Sequence, residues 1–528
     1  MRRVLPRSLS RRLGVVAVLL PIVLVGCGHE PMERVETAGE DQASQSSPEP
    51  NEPKSAPSGS TPAPQDPALE EYYDQDLDWQ ACGNYDCAKL TVPVSYDAPA
   101  DESIELALKR LPSRSDGAPS LVINPGGPGG SGADMVESVE RMFSPELLAA
   151  YDVVGFDPRG VAGSAPVDCV SDAQLDRLRA ADYDVETPEG LEAYREDAEL
   201  IAQGCASRTG ELLGHVDTAS AARDMDILRA ALGEDALDYL GYSYGTHLGA
   251  VYADIFPQRV GRFVLDGAMD PSLSAHQMTL DQAVGFEEAL RAYVEDCQAG
   301  PDCPLRGDAD DGMEQIRTLL DLTADNPLPT ADGRELTAPL AVSGILTPLY
   351  DTRSWPALTS ALTQAMESGD GSQLLFLADT MAGRAPDGTY RNNSTEANWA
   401  VNCLDQPATG DISDWRRQAD ELADAAPTFG PALSYGDVLC DAWPVEGQQR
   451  PGPLDAEGAP PIVVVGTTGD PATPYEWSVS LAEQLASGVL VTHEGEGHTA
   501  YGRSNDCVLD AVDAFLVEGD PPKDGLTC

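Results

Sequence analysis

Residues 241–245 read Gly241-Tyr242-Ser243-Tyr244-Gly245, a Gly-x-Ser-x-Gly pattern. A sharp strand-to-helix turn needs this pattern: the serine is held up in a strained conformation, and the flanking glycines remove Cβ atoms that would strike the strand and the helix. A glycine-rich surface turn satisfies the same pattern, so the flanks decide. Upstream, Ala236 to Leu240 reads as a short buried strand; downstream, Thr246 to Phe256 carries Leu248, Val251, Tyr252 and Ile255 at helical spacing. Further out, Thr218 is placed to cap a helix whose Ala221, Met225, Leu228 and Leu232 share one face, with Gly233 at its stop. Helix, strand, turn and helix make a parallel α/β unit, and a serine raised at its turn points to acyl transfer.

A serine nucleophile needs a base, and the chain has six histidines. His29 falls in a polar stretch, and His215 precedes the helix after Thr218. His247 lies one turn beyond the serine, on the helix beneath it, and His276 opens a later helical region. His493 ends the strand Val489 to Thr492. His498 follows in Gly495-Glu496-Gly497-His498-Thr499, a loop whose glycines let the ring swing back over a sheet, and it is the expected base. The orienting acid is expected at Asp470, in the loop after the apolar strand Ile462 to Val465; Asp266, ending the strand Phe263 to Leu265, is the alternative. After the strand Ser120 to Ile123 comes Asn124-Pro125-Gly126-Gly127-Pro128-Gly129-Gly130-Ser131-Gly132. Its backbone N–H groups near Gly127, with that of Tyr244, would form an oxyanion hole. A phosphate loop would end in Gly-Lys-Ser/Thr, which is absent here.

Taken together, 124–132, Gly155-Phe156-Asp157-Pro158-Arg159-Gly160, 241–249, Val264 to Pro271, Gly469 to Pro474 and Gly497-His498-Thr499 resemble, in this order, bacterial secreted tripeptidyl aminopeptidases. These form part of the proline-iminopeptidase branch of the α/β-hydrolases. The resemblance runs from about Trp79 to the C-terminus. It implies an α/β-hydrolase fold, with a mostly parallel central sheet, helices on both faces and an inserted helical lid. It also implies Ser243, Asp470 and His498 as a triad and peptide substrates with free N-termini. Pro125 departs from the pattern, standing where the iminopeptidases proper have a histidine. Exopeptidase action further needs a group for the substrate's α-amine; the resemblance directs attention to Asn402-Cys403-Leu404-Asp405, with Asp405 as the candidate and Glu396 behind it. An esterase or lipase would use the same triad, and a catalytically idle peptide-binding lipoprotein would keep the fold without the chemistry.

The ends and the composition set the compartment. Arg2, Arg3, Arg7, Arg11 and Arg12 precede an apolar run, Leu13 to Val25, too short to span a membrane comfortably. Leu24-Val25-Gly26-Cys27 resembles a bacterial lipobox, so 1–26 is expected to be a signal peptide and Cys27 a lipidated N-terminus anchoring the protein outside the cell membrane or released to the medium. Residues 27–70 are too polar and Pro/Ser-rich to fold and are expected to be a tether. Of the 11 cysteines, ten then remain. Neighbour pairing closes five non-crossing loops: Cys82–Cys87, Cys169–Cys205, Cys297–Cys303, Cys403–Cys440 and Cys507–Cys528. No Cys/His spacing suggests zinc, and neither metal nor organic cofactor is expected. With 88 acidic against 33 basic residues and a net charge of −55, nucleic acid is disfavoured as a partner. The core is expected at 71–271 and 459–528. Between them 272–458 forms the lid, with helical patterns at Gln282 to Tyr293, Met313 to Leu322, Trp355 to Met366 and Trp415 to Ala425. A monomer is expected.

Overall fold

The computed structural model describes residues 67–115, 117–447 and 452–528. The expected signal peptide, Cys27 and nearly all of the tether lie outside the described residues. The tether's last residues are structured: a 3-10 turn, Pro67–Leu69, leads into the helix Glu70–Tyr73, whose Tyr73 hydroxyl donates to Asp226.

Twelve strands are formed among the described residues. They are β1 (Gln80–Cys82), β2 (Tyr85–Pro93), β3 (Ser103–Leu111), β4 (Ser120–Asn124), β5 (Asp152–Phe156), β6 (Leu237–Tyr242), β7 (Val260–Asp266), β8 (Leu328–Pro329), β9 (Glu335–Leu336), β10 (Ile462–Gly469), β11 (Gly488–Glu496) and β12 (Leu526–Thr527). Ten of them build one sheet in the order β1-β2-β3-β5-β4-β6-β7-β10-β11-β12. Pairing is antiparallel from β1 to β5 by way of β2 and β3, then parallel from β5 to β12. The α/β-hydrolase architecture expected from the sequence is therefore present.

The central strands are apolar on both faces because helices cover both. Successive residues of one strand enter different cores: Val122, Val154, Phe263 and Val464 join one cluster, whereas Ile123, Val153, Val264 and Val463 join the other. The first cluster takes up Met225 and Leu228 of the helix Thr218–Ala231 and Leu248 of the helix Tyr244–Ile255. The second is closed by Val508 and Val512 of the helix Asp506–Asp513. Thr218 is the first residue of its helix rather than the cap. Asp217 caps it, accepting from the Ser220 N–H at 2.9 Å, and a carboxylate also suits the positive end of the helix dipole.

Between β7 and β10 the chain is helical, as the patterns in that interval suggest: Ala275–Ala299, Ala309–Asp325, Trp355–Thr363 with its π-helical continuation Gln364–Ser368, and Ile412–Ala425 contain the four segments. Ala338–Leu346, Ser372–Met381 and Ser394–Asp405 add three more. Part of this interval has its own core, around Leu290, Ile316, Leu346 and Leu375. The rest does not stand apart, since Trp399, Val401, Leu404 and Trp415 belong to the sheet's first cluster. A second excursion, between β5 and β6, packs beside it: Arg384 donates to Asp176 at 2.6 and 2.8 Å, and Arg179 donates to Asp379 at 3.2 Å. The five disulfides join Cys82 to Cys87, Cys169 to Cys205, Cys297 to Cys303, Cys403 to Cys440 and Cys507 to Cys528.

Arg159, in the loop after β5, is fully buried and forms a two-pronged pair with Asp224, Nε–Oδ2 2.7 Å and Nη2–Oδ1 2.6 Å. Its remaining N–H groups donate to the carbonyls of Pro93, Val94 and His215 at 2.8–2.9 Å. One guanidinium thus ties the end of β2 to the helix that precedes the Ser243 turn. Asp224→Ala would leave this cation buried without its anion, and we expect a loss of about 3–5 kcal/mol in urea unfolding. A loss under 1 kcal/mol would show that the pair does not hold these elements together.

Candidate active site

At Ser243 the backbone takes φ 55° and ψ −125°, a conformation that L residues rarely adopt. It survives because neighbours over-determine it. The Ser243 N–H donates to the Asp266 carbonyl at 2.9 Å, and its own carbonyl accepts from the Thr246 N–H at 2.8 Å. The glycine at 241 is required by space: a Cβ there would come within 2.4 Å of the Gly245 carbonyl oxygen. The glycine-rich loop after β4 presses on the same turn. A Cβ on Gly126 would lie 2.5 Å from the Tyr242 carbonyl oxygen and 3.0 Å from the Tyr244 nitrogen, so only glycine lets this backbone approach. The Tyr244 N–H and the loop carrying Gly127 are therefore neighbours, as an oxyanion site requires.

His498 and Asp470 meet in the buried interior at the carboxyl end of the sheet. The His498 Nδ1 lies 2.9 Å from each Asp470 carboxylate oxygen. Asp470 is fixed in turn by the N–H groups of Ala472 and Thr473, both at 2.9 Å, and by the Thr473 hydroxyl at 3.0 Å. That hydroxyl also lies 3.3 Å from His498 Nδ1. The Thr499 N–H reaches Asp470 at 3.2 Å. From above, the His498 N–H donates to the carbonyl of Tyr350 at 2.9 Å, and the Tyr350 ring stands edge-on to the imidazole with centroids 5.5 Å apart. Asp470 carries three backbone donors and a hydroxyl, so His498 is held by an anion that cannot turn away.

Among the described residues, the Ser243 Oγ and the His498 Nε2 are buried polar atoms with no hydrogen-bond partner. Both adjoin the Asp266-Gly267 corner: Ser243 through its N–H on the Asp266 carbonyl, His498 through its ring, since a Cβ on Gly267 would lie 3.3 Å from His498 Cε1. Buried groups without partners are rare and recur where chemistry uses them. Other described histidines lie elsewhere. His247 is on the helix Tyr244–Ile255, beside the Tyr244 ring, and His493 sits within β11 with Asn505 at 3.4 Å. His276 pairs with Glu421 at 3.1 Å.

Asp266 faces His498's loop, not its ring. Its carboxylate accepts from the Ala500 N–H at 3.0 Å and the Tyr501 N–H at 2.7 Å, so it shapes the strand-to-loop path of the histidine. Asp405 and Glu396 are also committed elsewhere. Asp405 accepts from the Thr218 N–H at 3.0 Å and the Thr218 hydroxyl at 2.5 Å, and that hydroxyl meets the Tyr244 phenol at 2.6 Å. Glu396 accepts from the N–H groups of Cys169 and Val170 at 2.8 and 2.9 Å. Two turn-like backbone stretches thus take the carboxylates that the sequence offered for an amine. Neither residue lines the cavity of about 180 Å³ that extends from Gly127 and Thr473 under the helical interval. No group of three or more His, Cys, Asp or Glu side chains suited to a metal occurs among the described residues. Sequence reasoning missed Thr473 and Tyr350. The first was findable, because a hydroxyl three residues after an aspartate forms a local turn with it; the second comes from a remote segment with no local mark.

Burial pushes the Asp266 carboxyl up to about 7, against the Ala500 and Tyr501 N–H groups and nearby His498, which favour the anion. In the unfolded chain it would ionise near ~3.9. Between these values the folded chain keeps a proton that the unfolded chain has lost. This group's contribution to stability therefore falls as pH rises from about 4 to about 7 and is lowest above that range. Thermal melts of Asp266→Asn should lack this decline, so the wild type should lose ground to the variant over that interval. A difference independent of pH would contradict it.

Residues 426–528 match the family described as TAP-like protein. The chain is 40% identical over 483 residues to serine protease Hip1 of Mycobacterium tuberculosis, covering 86% of this chain and 91% of that one. It is 36% identical to carboxylesterase B of the same organism, over 84% and 86% of the two chains. To tripeptidyl aminopeptidase of Streptomyces lividans it is 33% identical, over 87% and 86%. With a relative this similar along nearly its whole length, and with a serine turn, a buried His–Asp pair and a hydrolase sheet in one molecule, the chain belongs to the TAP-like serine hydrolases of the α/β-hydrolase fold.

Proposed function

We propose that this protein is an exported serine exopeptidase that releases short peptides, tripeptides foremost, from free N-termini through an acyl-enzyme. The observation that carries the reading is the pair of partnerless buried atoms, Ser243 Oγ and His498 Nε2, with Asp470 clamped on the far side of the imidazole. In this reading His498 Nε2 takes the Ser243 proton as the alkoxide attacks a peptide carbonyl. Asp470 keeps the Nδ1 proton in place and stabilises the imidazolium. The developing oxyanion is received by the N–H groups of Tyr244 and of the Gly127 loop. His498 then protonates the leaving amine, and water, activated by the same imidazole, hydrolyses the acyl-serine.

Peptides rather than small esters are favoured by relatives named serine protease and tripeptidyl aminopeptidase, and by a cavity that a helical interval roofs over. An esterase is the second reading. It is favoured by the relative named carboxylesterase B and by apolar walls at Met269, Phe286 and Leu422. Export is supported by five disulfides, which persist in oxidising compartments. We further propose lipidation of Cys27 as the membrane anchor and a monomer as the working form; among the described residues no helix is long and apolar enough to cross a membrane.

A fluorophosphonate should label Ser243, and Ser243→Ala, His498→Ala and Asp470→Asn should each lower kcat by about 10⁴-fold or more while leaving urea unfolding little changed. His493→Ala should stay within a few-fold of wild type. Folded Ser243→Ala with near-wild-type turnover would end the assignment. For the anchor, intact-mass measurement of the processed protein should give a chain beginning at a diacylated Cys27. A soluble chain cut elsewhere would remove the lipid from the account.

A further inference from the structure

The chain is rich in carboxylates and poor in cations, so the fate of each buried carboxylate is informative. Asp224 is paired with Arg159, Asp226 with Arg229 and Arg259, and Asp379 with Arg179 and Arg334. Asp266 and Glu396 each hold two backbone N–H groups, and Asp405 holds the Thr218 N–H and hydroxyl. Asp437 differs. It opens the short helix Asp437–Asp441, is half-buried, and forms no ion pair among the described residues.

Its position is equally distinctive. Asp437 lines the same cavity as Gly127 and Thr473, which adjoin the Ser243 turn and the His498–Asp470 pair, and among the described residues it is the only carboxylate in that lining. Among the described residues no lysine or arginine lines it. The other readily charged group is His276, already paired with Glu421. Asn402 and Gln406 provide neutral polar groups on the same wall. The Cys403–Cys440 disulfide staples the helix of Asp437 to the helix Ser394–Asp405, so the carboxylate has a fixed place relative to that wall.

We propose that Asp437 receives the free α-ammonium of the substrate, the space between it and Ser243 holding the residues that will be released. This rests on the reading of Ser243 as the nucleophile of a peptidase. An anion partly withdrawn from water, without a cation, in a cavity that also reaches Gly127 and Thr473 beside the Ser243 turn and the His498–Asp470 pair is completed by a ligand with a positive charge at its terminus and an amide a fixed length away. The cost of withdrawing it from water is visible in its titration. Burial pushes the Asp437 carboxyl up to about 6, with Asp441 acting in the same direction, while the Thr409 N–H and His276 act against it. The groups that face it are thus His276 from the helix Ala275–Ala299, with Glu421 behind, the Tyr194 phenol from the helix Pro188–Thr209, and Asp441 on its own helix. A peptide α-ammonium loses its proton near ~7.7–8.0. The two partners are therefore both charged between about pH 6 and pH 8.

The test uses the full chain and its Asp437→Asn variant, in which the amide retains an acceptor for the Thr409 N–H. Substrates are a tripeptide nitroanilide with a free N-terminus, its N-acetylated form, and a short-chain nitrophenyl ester. The wild type should prefer the free over the acetylated nitroanilide by about 10²-fold in kcat/KM, the discrimination expected when a closed site loses one charged pair. In Asp437→Asn this ratio should collapse to within a few-fold, chiefly through KM. Ester turnover and fluorophosphonate labelling should hold, showing an intact fold and triad. Because both nitroanilides use His498, their ratio cancels its titration. The wild-type ratio should fall below about pH 6 and above about pH 8, and the lower limb should vanish in the variant. If the wild type prefers the free amine and Asp437→Asn retains that preference and limb, the assignment of Asp437 is overturned while the exopeptidase reading stands. Equal wild-type rates on free and acetylated substrates would overturn both.

Discussion

The two halves of the candidate site are held together by one residue that does none of the proposed chemistry. Asp266 ends β7, and its main-chain carbonyl takes the N–H of Ser243, while its carboxylate takes the N–H groups of Ala500 and Tyr501 just past His498. A serine turn and a histidine loop more than 200 positions apart in sequence are thereby referred to the same strand end. The cost is a carboxyl buried so completely that its titration is displaced to about 7. Placement of reacting groups within fractions of an ångström is worth such a cost, because rate depends steeply on alignment.

Much of this was legible in the sequence, for physical reasons that differ from place to place. The Ser243 turn can be read because its sterics leave few residue choices over five positions, and the central strands because burial on both faces makes them continuously apolar. The disulfide connectivity matches the neighbour pairing expected, each of the ten described cysteines being joined to its neighbour in the sequence. What was not legible depends on side-chain direction. Asp405 has the right chemistry for an ammonium and ends a helix that lines the cavity with Asn398 and Asn402, but its two oxygens accept from Thr218 at the start of another helix. Asp437 sits in a four-turn-poor stretch of short helices, Gly430–Leu433 and Asp437–Asp441, where no periodicity marks which face meets the cavity. The same limit applies to Asp217: two adjacent residues were both able to cap, and the carboxylate took the place expected of Thr218.

The helical interval between β7 and β10 is less separable than a hinged cover. Trp399, Leu404 and Trp415 are packed into the sheet's own core, and the excursion between β5 and β6 is bolted to the interval by the Arg384–Asp176 and Arg179–Asp379 pairs. Shape selection at the cavity therefore falls to walls that are part of the fold's stability, which suits recognition by a fixed spacing.

The contact of Tyr350 with His498 has a further meaning. The main-chain N–H of His498 is satisfied by a carbonyl from the roof, not from the sheet, and the Tyr350 ring flanks the imidazole. Roof and histidine are therefore one mechanical unit: moving the 347–350 segment aside removes an acceptor from the residue proposed as the base. On the proposed mechanism, a substrate too bulky to be enclosed would meet a serine whose proton acceptor has lost its footing, and reactivity would be tied to enclosure without a separate latch.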